Sequence, residues 1–151
     1  MEINGLPLHP LVVHAAVVLG PVAALAALAH AVRPVWRARL RLPMVGLAVL
    51  SVAATVAAYL TGRHFKEANQ FFAQGEIGRL VHEHEKLAGL LLWVTVGFGV
   101  VAVATAALHR QSAGTRGALN AVLAIAALAV LVLVFLTGEA GARATWDGIR
   151  G

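Results

Sequence analysis

The sequence contains no cysteine. That absence excludes disulfides, thiolate zinc sites, cysteine-ligated iron–sulfur clusters and covalent haem attachment through C-x-x-C-H. Charge is scarce too. Asp, Glu, Lys and Arg make up 13% of the chain, against about 25% in ordinary soluble domains. No H-E-x-x-H motif is present, and no Gly-rich phosphate loop follows a strand, so an enzyme acting by itself is not expected. What is abundant is hydrocarbon: 60% of the 151 residues are hydrophobic, and mean hydropathy is +0.81. A soluble domain of this size leaves about 30% of its chain surface exposed. Too few polar residues are available to cover that surface, which excludes a soluble globule, and the hydrophobicity excludes disorder. The chain reads as an integral membrane protein. Its pI near 11.1 comes from arginines at the edges of apolar runs, not from a basic groove, so nucleic acid is not a partner.

Four stretches, about 11–32, 42–62, 87–108 and 117–138, reach the roughly 20 apolar residues that a span requires. Each is expected to be helical, because an open sheet leaves backbone groups unsatisfied in lipid. The predicted fold is all-α: one four-span domain over 1–151, an integral membrane four-helix bundle in a lipid bilayer. Met1 to His9 carry no Lys or Arg, so the basic n-region of a signal peptide is missing. The two short loops hold Arg33, Arg37, Arg39, Arg41, Arg110 and Arg116 and no acid. All seven acids (Glu2, Glu67, Glu76, Glu83, Glu85, Glu139, Asp147) fall on the other side. Lys and Arg, which set orientation, tie at six per side, and the first span breaks the tie with none before it and four after it. Both termini are therefore expected outside and the two short loops inside. The polar outer loop, about 63–86, carries Phe65, Phe71, Phe72, Ile77 and Leu80 at a spacing that suits a short interfacial amphipathic helix. The alternative is a solvated loop.

Span two ends Tyr59-Leu60-Thr61-Gly62, and span four ends Phe135-Leu136-Thr137-Gly138, 76 positions later. Two hairpins of like topology would form a parallel repeat about an axis along the membrane normal. Duplication and chance recurrence both account for the match. Under duplication, spans one and three are equivalent, a ligand can sit on the pseudo-twofold axis, and Arg63 comes within reach of Glu139.

Seven histidines are present. His30 and His109 belong to the inner side and read as interfacial. The other five collect on the outer side: His9 and His14 at span one, His64 after span two, and His82 and His84 before span three. Glu139 ends span four. His14 lies about one turn inside an apolar run, where an imidazole without a partner costs several kcal/mol. It reads as a metal or haem ligand, or as a hydrogen bond to a neighbouring helix. His9 reads first as a helix-entry residue beside Pro10. His82 and His84 point to nearly opposite sides of a helix, and His84 is favoured because Leu87, Leu91 and Val94 follow it on one face. His64, with Arg63, reads as an interfacial anchor. Glu139 reads as a solvated acid or as an acceptor that orients a histidine.

The opening Gly5-Leu6-Pro7-Leu8-His9-Pro10-Leu11-Val12-Val13-His14 resembles that of an uncharacterised four-span membrane family, domain-of-unknown-function family 2231, with its L-P-x-H-P-x-x-V-H pattern. The chain is also similar to that family in a His-rich start to span three followed by a glycine, His84 to Gly89. A T-G-x-x-G end to span four, Thr137-Gly138-Glu139-Ala140-Gly141, is a third likeness. Many relatives have His where Glu139 stands. The resemblance covers nearly the whole chain and implies a bacterial membrane location. Through relatives joined to redox domains it implies a redox setting, without an established activity.

The favoured expectation is a small protein of the bacterial cytoplasmic membrane that binds haem b, with His14 and His84 as axial ligands near the outer face. Alternatively, a transition metal is held by His9, His14, His82, His84 and Glu139. The role would be electron transfer with a respiratory or redox membrane protein. The pocket would form within one chain or between two copies as a homo-oligomer. A cofactor-free structural or assembly subunit is the second expectation. A small ion or proton transporter is the third, with only Ser51, Thr55 and Asn120 to line a path.

Overall fold

The computed structural model describes residues 2–3, 6–69 and 74–150, with side chains over 8–69 and 74–146. A two-residue antiparallel pair, β1 (Glu2–Ile3) with β2 (Leu6–Pro7), leads into four helices. These are α1 (Leu8–Val32), α2 (Arg37–Glu67), α3 (Gly75–Ala107) and α4 (Ala113–Arg150). All four are long and apolar enough to cross a membrane. α1 packs on α2 and α3 on α4, and α1–α4 and α2–α3 contacts close the ring. The protein is an all-helical membrane four-helix bundle of up-down-up-down topology.

Lipid explains why these helices are stable with so little polar surface. Leu11, Val18, Leu25, Leu50, Trp93, Val100, Ile125 and Val132 all face outward. A soluble helix would place charge there. The short connections satisfy their own backbone. Arg37 folds back over the end of α1, donating from Nε to His30 O at 3.2 Å and from Nη2 to Ala31 O at 2.9 Å. Ser112 Oγ accepts the Thr115 N–H at 3.3 Å and so caps α4.

The polar loop is shorter than expected. α2 runs on to Glu67 and α3 starts at Gly75, whose φ of 59° favours glycine. No separate interfacial helix is interposed among the described residues, and Phe71 and Phe72 lie outside them. The physical reason is continuity: each extended helix keeps its hydrogen bonds past the apolar run, and Lys66 and Glu85 link the two extensions at 2.6 Å.

The core follows a 3.5-residue period. On α1 the buried Ala16, Gly20, Ala23, Ala27 and His30 advance by alternating steps of four and three. On α3 the buried Leu91, Thr95, Phe98, Ala102 and Thr105 do the same, each 75 positions after its α1 counterpart. Met44, Ala48 and Ser51 on α2 recur 79 positions later as the buried Leu123, Ala127 and Val130 of α4. Such a period sets adjacent helices at a shallow left-handed crossing. The two hairpins are thus structural repeats, but not in the register of the shared tetrad. At a spacing of 79, Gly62 corresponds to Gly141, and Gly138 lies about one turn away.

Small residues on the seams bring the helices close. A Cβ on Gly99 would stand 2.8 Å from Val52 Cγ2, and one on Gly20 3.2 Å from Val134 Cγ2. Val52 is β-branched and turns aside poorly. Gly99→Ala is therefore expected to destabilise the bundle by about 1–3 kcal/mol. Gly97→Ala, with nothing within 4 Å of its added Cβ, should be neutral or mildly stabilising. Thermal unfolding of both variants in detergent checks this, and equal Tm values would refute it.

Candidate functional site

Both hairpins place a histidine at the same point. His9, in the first turn of α1, reaches across to the end of α2, where its Nδ1 lies 3.1 Å from Ala58 O and 3.4 Å from Thr61 Oγ1. His84, near the start of α3, reaches across to α4 with its Nδ1 3.0 Å from Thr137 O. In the second hairpin, as in the first, a bare helix turn lies under the ring. A Cβ on Gly62 would meet His9 Cε1 at 2.8 Å, and one on Gly141 would meet His84 Cε1 at 3.1 Å. Ala58 to Gly62 and Thr137 to Gly141 are both one-turn segments: a carbonyl accepts from the imidazole, and a glycine four residues on makes room for it. The Thr137-Gly138-Glu139-Ala140-Gly141 segment owes its second glycine to this contact.

A carbonyl oxygen has no proton to give, so Nδ1 is the protonated nitrogen in each ring. Neutral His9 and His84 therefore keep a free lone pair at Nε2. Both rings are half-buried. Phe65 stacks on His9 with ring centroids 6.3 Å apart. The result is a pair of oriented imidazoles, on diagonally opposed helices, at one end of the bundle axis.

The other expected site residues are elsewhere. His14 is exposed on the outside of α1, its Nδ1 donating to Pro10 O of its own helix at 2.6 Å. It does not join His84. His82 is exposed, 3.9 Å from Glu85. His64 is exposed, and Glu139 is exposed and paired with Arg143 at 2.5 Å. The Arg63–Glu139 pair is not formed, because Arg63 lies 3.9 Å from Glu67 on its own helix. The proposed five-ligand set of His9, His14, His82, His84 and Glu139 is not assembled. Among the described residues no group of three or more His, Asp or Glu could hold a metal ion. At the opposite end His109 is exposed as expected, whereas His30 is buried rather than interfacial.

His9 carried a signal in the sequence that helix-entry reasoning overrides. His9, Ala16, Ala23 and His30 are spaced by sevens, as are His84, Leu91, Phe98 and Thr105. That stripe faces the core, and His14 lies off it.

A family model described as "Predicted membrane protein (DUF2231)" matches residues 5–149. No curated protein and no solved structure matches the chain.

The ring-on-glycine contact makes a discriminating prediction. Gly62→Ala should displace His9 from Ala58 O, costing about 0.5–1.5 kcal/mol for the lost hydrogen bond, and Gly141→Ala should act likewise on His84. Gly138→Ala, whose added Cβ meets nothing within 4 Å, should leave stability unchanged. Nitrogen NMR of the imidazoles would report loss of the Nδ1–H hydrogen bond in the first two variants only.

Proposed function

We propose, from the premise that the chain belongs to the DUF2231 family of membrane proteins, that it is a haem b-binding protein whose axial ligands are His9 and His84. The observation that carries the proposal is the matched pair itself. Metal-bound histidines almost always donate the other ring N–H to a carbonyl, a carboxylate or water, which sets the tautomer and the ring direction. His9 and His84 both have that arrangement. Two imidazoles suffice for haem, whose porphyrin supplies the other four nitrogens, whereas a bare zinc or copper ion requires three or four protein donors. The residues present therefore fit haem b better than a protein-coordinated ion. His84 keeps the role expected of it, and His9 takes the place of His14.

When bound, a haem held by His9 and His84 would supply one-electron transfer. The chain's part is to hold both rings still. Ala58 O and Thr137 O fix the tautomers, and Gly62 and Gly141 let the rings lie against the helix. Phe65 covers His9. A respiratory or redox membrane protein is the proposed electron partner. The arginine-rich loop face is proposed to be cytoplasmic, in the inner membrane of a bacterium.

A second reading has its own support. Each ring already makes an interhelical hydrogen bond, so the pair can serve as polar glue in a cofactor-free assembly subunit.

Reduced-minus-oxidised spectra of protein purified in mild detergent separate the two. Haem binding predicts a Soret band and a sharp reduced α band, lost in His9→Ala and in His84→Ala and retained in His14→Ala. A spectrum without these bands after expression with excess haem, or one that persists in both His9 and His84 variants, would sink the haem reading. Lowered stability of those variants, with no spectrum in the parent, would favour the glue. Orientation is tested separately in the cysteine-free chain. In intact cells Ala142→Cys should react with an impermeant maleimide and Ser112→Cys should not; the reverse pattern would invert the topology.

A further inference from the structure

The opposite end of the bundle axis, about 30 Å from His9 by helix rise, contains a cavity of ≈ 370 Å³. That is at the lower end of ligand pockets, about 300–1,000 Å³. Its walls come from all four helices: His30 of α1, Arg37 and Arg41 of α2, Thr105 of α3, and Arg116 and Asn120 of α4. His109 stands at its rim.

Two observations converge on it. First, its cations have no carboxylate partner among the described residues. All seven acids of the sequence fall on the other side of the spans. Arg37 and Arg116 spend donors on the carbonyls of His30, Ala31 and Gln111. Half-buried Arg41 has neither a carboxylate nor a carbonyl partner among the described residues. Second, buried polar atoms around the cavity are unpartnered. His30 and Thr105 are only 5% and 6% exposed, and their Nδ1 and Oγ1 atoms make no hydrogen bond. Buried polar groups normally have a partner, and the His30 ring and Thr105 hydroxyl can each donate to one. The helix ends here offset one another, α2 and α4 beginning where α1 and α3 end, so the positive field is that of the guanidinium groups.

We infer that this cavity is an anion site that takes a phosphate group, carried either by an acidic lipid headgroup or by a free phosphate. Arg41 and Arg116 supply the charge, and the Thr105 hydroxyl donates from the inner wall. Arginine suits this ligand because its planar fork pairs with two phosphate oxygens. The site is separate from the histidine pair and stands whether or not haem is bound.

The test is thermal unfolding of the full chain in an uncharged maltoside detergent. The additions are phosphatidylglycerol, phosphatidylcholine, or inorganic phosphate matched to chloride at equal ionic strength. A saturable rise in Tm with phosphatidylglycerol alone supports the site and assigns a lipid headgroup; a rise with inorganic phosphate supports it and assigns a free anion. Arg41→Gln should weaken the apparent affinity for the responding ligand about tenfold or more, the worth of a charge-assisted hydrogen bond. Thr105→Val should weaken it too while leaving the ligand-free Tm unchanged or raised, which keeps the test decisive if the arginine variant folds poorly. Arg63→Gln, at the far end, should respond as the parent does. No saturable response to either phosphate source would overturn the inference. So would a response equal to that with phosphatidylcholine or chloride, or one unaltered by both Arg41→Gln and Thr105→Val.

Discussion

Hydrocarbon offers a polar side chain nothing to bond, and the arrangement of this bundle follows from that constraint. The outward faces are aliphatic. Polar atoms are confined to the helix ends or turned toward the axis, where Ser51, Thr55 and Thr95 are buried. The ends themselves differ in kind. At the end bearing the termini, acids and bases neutralise one another in short pairs such as Lys66–Glu85 and Arg143–Glu139. At the loop end, Arg37 and Arg116 bond backbone carbonyls, and no arginine pairs with a carboxylate among the described residues.

Close approach is what lets the two ends be built on one axis. Alanine and glycine on the α1 seam, and Gly99 on α3, bring the backbones near enough for a ring on one helix to reach a carbonyl on the next. His9 and His30 lie on the same stripe of α1, three heptads apart. A regular 3.5-residue period keeps that stripe on the axis for the length of the helix. The same period on α3 presents His84 at one end and Thr105 at the other. One packing rule therefore positions both polar layers, with Ala23, Ala27, Phe98 and Ala102 filling the interval.

The four spans and the segregation of the acids were legible in the sequence, because each depends on composition over a window. The histidine-rich end was legible too. Which histidine faces the axis was not, because depth in an apolar run singled out His14, whereas the direction around the helix selects His9. That direction was encoded in the spacing by sevens, but on α1 the two positions between the histidines are alanines, Ala16 and Ala23, which give the stripe no contrast with the lipid face. The repeat was visible in outline and wrong in register, since the Leu-Thr-Gly match is one of identity and the true correspondence is of burial. His30 was passed over because its place next to an arginine loop resembles that of an ordinary interfacial residue. Only the folded bundle shows α3 and α4 enclosing it.

The two layers differ in how far the halves have diverged. His9 and His84 remain alike in their carbonyl and their glycine, to which His9 adds a stacked Phe65 and a nearby Thr61 hydroxyl. At the other end His30 faces Thr105, and Arg41 corresponds in register to Asn120. The histidine end therefore retains most of the internal twofold symmetry of the bundle, whereas the arginine end has lost it, since Asn120 no longer carries the charge of Arg41.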